Sequence, residues 1–590
     1  MRALGFARSL LLVFLTPAIS SAAWQPNGNI ITPHTFTETN PALASDGRRG
    51  VFAALDCYFA GPFVQRFEAN GDPAGGWNVV AKLSTPGVTL HGVSRETRAI
   101  SDGAGGCFLM WIQTGEFCSH GCSYYEPGRL RIQRLTARGT PAQGWPAEGF
   151  IVSDKLAYPA NGFVASDDGR KGVWLAWQGD GIFARHVGPS GTHTGESEHT
   201  VSTGTGWLSL PQVVGDRFGG AYVFWSEGAA GSFPRGRIRG QHYDAGTRAD
   251  WGANGQFVST GTYDLRRGSP SAVSTRSGDA VVAWSGVSGA SEDIFSARVT
   301  RSGRCPWQRD QVVCGAEATQ ADVHILAEPE DEVLLSWRDA RPAAGVFAQR
   351  LDRHGRALWA KDGVPVSPGA GDRTSLVMCE DGIGGAFLAW TDRALEWSVL
   401  ATRIDRRGRP ADGWSAEATP ICHRIDAPYY DQATSLGIEP TGPHAATVCW
   451  QDFRIPPTVP QVGFDEASFV MRLGRSGPGA PAAAFPSAPP VVSPSPQLVV
   501  ERSPSFAIQS VFPNPSSGAA AIRLSLADES PASLEVFDLA GRRISRREVG
   551  GAPGVQVVPV SPDRRLSPGV YLVRLAQRQH SATARLIVTH

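Results

Sequence analysis

The 590-residue chain carries no surplus of charge: Lys plus Arg number 55 and Asp plus Glu number 55. Without a global field there is nothing to gather nucleic acid or an anionic membrane surface, and neither is expected as a partner. Long apolar runs are also scarce; beyond the N-terminus none approaches the ~18 residues that a membrane-spanning helix needs. The signatures of common catalysts are missing: the sequence has no Gly-x-Ser-x-Gly elbow, no His-Glu-x-x-His pair and no Ser-x-Asp-x-Gly-x-x-Trp box. Nothing in it asks for a cofactor, a metal cage or a phosphate cradle.

What the chain does have is repetition. Eight times between Ala42 and Gly477 it runs through an apolar strand, a Gly-rich turn, a second apolar strand ending in Trp, and a strand carrying Arg and a closing Gly. The strand-ending residue recurs at Trp111, Trp177, Trp225, Trp284, Trp337, Trp390 and Trp450, with Leu55 in its place in the first copy. Spacings of roughly fifty to sixty-five residues point to a propeller or solenoid array. Short segments rich in Val, Ile, Phe and Trp, bounded by Gly, Asp and Pro, read as strands rather than helices. The expectation is an all-β protein: an eight-bladed β-propeller, with seven blades as the alternative, and four strands per blade.

Full copies close with a Trp, a turn Gly and an apolar strand, as in Trp359 to Ser367. The eighth copy lacks that ending, and Trp24-Gln25-Pro26-Asn27-Gly28-Asn29-Ile30-Ile31-Thr32 supplies it from the other end of the chain. The N-terminal strand is therefore predicted to complete the last blade and close the ring, which removes free sheet edges. Ahead of it, residues 1–23 hold Arg2 and Arg8, an apolar run from Leu10 to Leu15 and small residues before Trp24, the pattern of a cleaved secretory signal. The predicted order is a signal over 1–23, a propeller over 24–477, a Pro/Ala/Ser-rich linker over 478–505 and a small β-sandwich over 506–590.

Nine cysteines in an exported chain imply disulfides with at least one thiol left over. Cys305 and Cys314 flank a third-to-fourth strand connection and are expected to bridge across that hairpin. Cys118 and Cys122 bracket Ser119-His120-Gly121 and read as a loop-pinning disulfide, in preference to a zinc site with no evident fourth ligand. Arg66, Arg134, Arg185, Arg298, Arg350, Arg403 and Arg472 recur on the third strands, with His242 in the fourth copy. A device stamped on nearly every copy reads as packing rather than as an anion channel. The arginines are expected to fork onto carboxylates near the second-strand ends, Asp56, Asp339, Asp392 and Asp452.

Binding should lie where the repeat is irregular. The first-to-second turns are uniform, as in Asp102-Gly103-Ala104-Gly105-Gly106, whereas the second-to-third and fourth-to-first connections vary from Gln178-Gly179-Asp180-Gly181 to the long 112–128 and 451–466. On this variable face Tyr58, Phe59, Tyr124, Tyr125, Tyr429, Tyr430 and Phe453 fall in copies eight, one and two, which are neighbours in a closed ring. Exposed rings of this kind suit a sugar or a peptide, through stacking and hydroxyl hydrogen bonds; packing of the long loops is the other reading. Glu116, Asp431 and Asp465 lie in or beside the same loops and would supply a glycosidase-type pair.

Near the C-terminus Pro513-Asn514-Pro515, the Val536-Phe537-Asp538-Leu539-Ala540-Gly541-Arg542 turn, Leu566-Ser567-Pro568-Gly569-Val570-Tyr571 and a basic-apolar final strand occur in order. Together they resemble the C-terminal sorting domain of type IX secretion cargo and the related immunoglobulin-like module of the flagellar hook-capping protein. The ending Val588-Thr589-His590 departs from the lysine-rich finish common in that family. The resemblance implies a Gram-negative exporter, recognition of the tail by the type IX secretion machinery, and a secreted or outer-membrane cell-surface location. Two functions follow. The preferred one is a monomeric binding or adhesion protein that takes a glycan or an extracellular protein on its variable face. The alternative is an extracellular polysaccharide hydrolase or lyase on the same scaffold.

Overall fold

The computed structural model describes residues 24–25, 28–31, 38–57, 62–74, 77, 94–113, 128–154, 156, 162–191, 198–204, 206–209, 211–265, 270–287, 289, 291–341, 345–367, 373–393, 398–422, 435–452, 467–478, 507–512, 520–526, 528, 530–538, 541–549, 554–560, 566–578 and 580–588. Two compact units divide the chain, Met1–Ala483 and Ala484–His590. Both are all-β. Among the described residues helical structure is confined to the 3-10 turn Pro329–Asp331 and the 3-10 residue Arg393, and no helix is long and apolar enough to cross a membrane.

In the first unit each repeat forms an antiparallel set whose strands are visited in chain order. In the seventh, Arg373–Glu380 pairs with Ala386–Asp392, which pairs with Ser398–Ile404, which pairs with Thr419–Cys422. The second strands are apolar without alternation: Val173–Gln178 reads VWLAWQ, and Ala386–Asp392 is buried along its whole length. A strand reads this way when both its faces are covered. The cover comes from the sheets on either side. Phe387 and Ala389 pack with Ala446, Val448 and Trp450 of the following repeat, while Ala386, Leu388 and Trp390 pack with Leu334, Val346 and Ala348 of the preceding one.

The first strands lie side by side in chain order: Glu38–Ser45, Ser94–Ser101, Phe163–Asp167, Gln212–Gly215, Ser271–Ser274, Gln320–Ala327, Arg373–Glu380 and Leu436–Gly442, and the last of these lies against the first. At that junction Ser45 N donates to Glu439 Oε1 at 3.2 Å and Cys449 Sγ to Pro41 O at 3.5 Å. Repeats four and five are joined more closely. Their strands form one ten-stranded sheet, because Tyr263–Asp264 bridges Arg235–Tyr243 to Ala280–Val287.

The start of the chain joins the eighth repeat. Asn29–Ile30 pairs antiparallel with Ala467–Gly474 through Asn29↔Val470 and Ile30↔Phe469, and Ile31 N donates to Ser468 O at 2.8 Å. Trp24 is buried against Phe67 of the first repeat, and its indole N–H donates to Ala69 O at 3.1 Å. Arg472 Nη1 donates to the same carbonyl at 2.7 Å. This double donation recurs between other sheets: Trp145 and Arg134 meet on Pro189 O, and Trp307 and Arg298 on Arg353 O. The closing Gly of the repeat serves the same contact. Gly139, two residues past the carbonyl that accepts from Trp77, has φ 78° and lies so close under that indole that a Cβ would stand 3.1 Å from the ring.

Cys305 and Cys314 do not bridge; both are free thiols. Hairpin register is the reason. Cys314 opposes Ile294 at one end of the pair, whereas Cys305 follows the turn closed by Thr300 N to Arg304 O at the other. Strand residues advance ~3.3 Å each, so the two ends stand ~16 Å apart, well beyond the ~7 Å between Cα atoms that a disulfide spans. Cys118 and Cys122 lie outside the described residues.

The second unit holds two sheets. One runs Ala507–Phe512, Ala521–Leu526, Gly554–Pro559; the other runs Arg543–Val549, Ala532–Asp538, Gly569–Gln577, His580–Val588. Ile522, Leu524 and Leu526 of the first meet Leu534, Val536, Val573 and Leu575 of the second in one core.

Candidate functional site

The recurrent arginines reach carboxylates, but not the expected ones. Arg66, Arg134 and Arg403 fork through Nε and Nη2 onto Asp46, Asp102 and Asp381, the residues that open the first-to-second turns, at 2.7 to 3.1 Å. The other oxygen of the same Asp accepts two turn N–H groups, those of Ile383 and Gly385 in the case of Asp381. A carboxylate is therefore needed for both tasks at once, and the last Gly is needed because the third strand passes close by. A Cβ on Gly106 would lie 2.1 Å from Leu135 O. Arg298 reaches Asp279 and Asp331, and Arg350, fully buried, lies between Glu328 and Glu332.

Arg472, which donates to Ala69 O, stands outside this pattern, and two further positions break it. Arg185 opposes Leu175 and sends Nη1 to Val152 O; its neighbour His186 opposes Trp174 and meets Asp168 at 2.9 Å. In the fourth repeat His242 stands between Asp216 and Asp250. The second-strand acids have other partners: Thr97 and Asn40 hold Asp56, Arg341 and Trp337 hold Asp339, and Arg373 lies 3.5 Å from Asp392. The side chain of Asp452 lies outside the described residues. A signal for the true partner was present, since an Asp opens the first-to-second turn in five copies, at Asp46, Asp102, Asp168, Asp216 and Asp381.

Burial perturbs three acids. It raises Glu328 to about 7 despite Arg350, Glu439 to about 7, and Asp56 to about 6. Glu439 borders a cavity of about 590 Å³ with Ser101, Asp102, Ser166, Asp167 and Lys171, where first strands of the second, third and eighth repeats converge. Among the described residues no group of three or more His, Cys, Asp or Glu could hold a metal ion.

Tyr58, Phe59, Tyr124, Tyr125, Tyr429, Tyr430 and Phe453 lie outside the described residues, as do Glu116, Asp431 and Asp465. The described irregular connections present a different pair of rings. Trp207–Leu208, before the first strand of the fourth repeat, pairs with Glu227 and Gly228 at the end of its second strand. Phe233, in the following loop, meets Trp207 edge-on at 5.3 Å and is 65% exposed. The pair is held firmly. The Trp207 indole N–H donates to Arg235 O at 3.2 Å, and Ser232 Oγ donates to Ala229 O at 2.6 Å. Gly228 and Gly236 leave room for the indole, since a Cβ on either would stand 2.3 to 2.5 Å from it. The strand beneath is the one zipped to the fifth repeat through Arg235↔Asp264 and Gly236↔Tyr263. The sequence hint is slight: one Phe within a Gly/Ala/Ser loop, opposite a Trp outside the repeat pattern.

Residues 510–589 match the family described as the secretion system C-terminal sorting domain. That tail marks a secreted or cell-surface protein and implies interaction with the type IX secretion machinery. No curated protein matches the chain. Among solved structures, the BP39L lectin from Burkholderia pseudomallei is similar at 10% identity and a TM-score of 0.40, over 76% of this chain and 99% of that one. PorZ, a surface component of the type IX system of Porphyromonas gingivalis, is similar at 10% identity and a TM-score of 0.21, over 96% and 82%. The NanB sialidase from Streptococcus pneumoniae is similar at 10% identity and a TM-score of 0.31, over 53% and 68%. Likenesses at this level establish neither a shared fold nor a shared ligand.

Proposed function

We propose that the chain is an exported cell-surface binding protein whose first unit is an eight-bladed propeller and whose irregular connections take a glycan. The ring is supported by the return of Leu436–Gly442 to Glu38–Ser45 and by the N-terminal strand on the eighth repeat. The tail is read as an immunoglobulin-like sandwich of the hook-capping kind, supported by two sheets over one core. The ligand reading is carried by Phe233, a large ring held open to solvent on a braced tip beside Trp207. A ring so exposed gains from covering its face with the C–H groups of a sugar, and Arg235 beside it offers donors to the hydroxyls.

The test is a glycan array run beside a turnover assay on the retained polysaccharides. Retention without product release, weakened about three- to tenfold by Phe233→Ala, supports the binding protein. Product release would replace it with the hydrolase or lyase. Unchanged retention in Phe233→Ala would move the site elsewhere, and Tyr124→Ala with Tyr430→Ala would then test the predicted aromatic arc.

A further inference from the structure

The eighth repeat lacks one half of a pair that the other repeats share. In the first seven, the third strand sets an Arg or a His against a carboxylate at 2.7 to 3.2 Å. Strand register shows what replaces the acid. In the seventh repeat Arg403 opposes Phe387 and Glu380 opposes Ala386; in the eighth Arg472 opposes Thr447 and Pro440 opposes Ala446, so Thr441 stands where Asp381 stands. Thr441 is 2% exposed, and its Oγ1 has no hydrogen-bond partner among the described residues. Arg472 gives Nη1 to Ala69 O at 2.7 Å, while its Nε and Nη2 meet no acceptor among the described residues. The charge that acts on Arg472 is positive: burial and the neighbouring Arg49 both hold it below the usual guanidinium range. Arg49, in the first-to-second turn of the first repeat, lies against the turn of the eighth, where a Cβ on Gly442 would stand 3.6 Å from Arg49 Cγ. It too makes no ion pair among the described residues.

We infer that this junction binds a small oxyanion, the carboxylate of an acidic sugar or a free sulfate, between Arg472 and Arg49. Nε and Nη2 form the edge of the guanidinium that takes Asp46, Asp102 and Asp381 in other repeats, and that edge matches an oxyanion two bonds at a time. A half-buried guanidinium beside a second one carries a cost that a bound anion offsets. The Thr441 hydroxyl, in the place of the missing carboxylate, has a donor to give. The scaffold leaves room at this corner: in the second repeat, Arg134, Asp102 and Pro189 border a cavity of about 450 Å³, Pro189 O being the counterpart of Ala69 O. Since Arg472 belongs to the eighth repeat and Arg49 to the first, the anion would tie the two ends of the repeat array together. The site is independent of the Phe233 tip, which belongs to the fourth repeat.

The experiment titrates the purified full chain calorimetrically with sodium sulfate and with sodium glucuronate at fixed ionic strength, and reads its melting temperature in sodium chloride. Three variants are compared with the parent: Thr441→Asp, Arg472→Gln and Arg49→Gln. The parent is expected to bind one equivalent of anion, and each arginine variant to bind it about tenfold or more weakly. Thr441→Asp supplies the carboxylate from the chain itself; it should bind neither anion and melt about 2 °C above the parent. Binding of glucuronate by the parent assigns the site to an acidic sugar, and binding of sulfate alone assigns it to an inorganic anion. Absence of binding of both anions by the parent overturns the site, as does binding by Thr441→Asp equal to the parent's or an unchanged affinity in both arginine variants. Circular dichroism checks the fold of each variant, and Arg49→Gln, at an exposed position, decides the matter if either buried substitution unfolds the protein.

Discussion

Replacing Trp24 by Ala tests the junction between the two ends of the first unit. The indole is buried, packs on Phe67 and Gly71, and donates to Ala69 O. A Trp side chain covers ~150–250 Å², which at ~25 cal/mol per Å² corresponds to about 4–6 kcal/mol. Partial collapse of the site brings the expected cost to about 3–5 kcal/mol. Trp307 makes the same contacts inside the chain, with its indole on Arg353 O and Gly355 beneath it. Trp307→Ala should therefore cost a similar amount. Urea unfolding of the purified protein, followed by circular dichroism, measures both. Loss of Arg472 should not add fully to loss of Trp24, because the two donors share one carbonyl. The reasoning fails if Trp24→Ala unfolds at the parental urea concentration while Trp307→Ala shifts.

Three further outcomes are expected. Gly106→Ala, which drives a Cβ against Leu135 O, should destabilise by more than the ~1 kcal/mol expected of Gly47→Ala, whose Cβ would meet nothing; thermal melts of the pair decide this. Arg403→Met strands the buried Asp381 carboxylate and should cost ~3–5 kcal/mol in urea unfolding. Glu328 holds its proton to a higher pH when folded, about 7 against the usual 4.5, so its contribution to stability is present at low pH and is lost as pH rises through that window. Glu328→Gln should flatten the fall in melting temperature between these values, and an unchanged slope would place the titration elsewhere.

The strands were legible because the second strands are largely apolar and half of the turns that precede them are spelled Asp-Gly, at Asp46, Asp102, Asp168 and Asp381. The pairing of Asn29–Ile30 with the eighth repeat could be foreseen from one missing ending at Gly477 and one spare copy at Trp24. Contacts that depend on register were not legible. A one-residue offset hands the Asp168 contact to His186 instead of Arg185, and nothing local in the sequence marks it. The same holds for Cys305 and Cys314, whose nine-residue separation says nothing about which end of a hairpin each occupies. The Trp207–Phe233 pair was hidden because its two members belong to different connections, brought together by the bridge between Trp207 and Gly228.

Because the eighth sheet takes an outer strand from the beginning of the chain, the repeat as written and the sheet as built are out of step by one strand. A whole copy gained or lost anywhere between Trp77 and Trp414 would leave that splice untouched, since both of its halves sit at the extremities. The number of copies can then change by duplication without parting that splice, whereas a change between repeats four and five would part Tyr263–Asp264 from one of the two strands it joins.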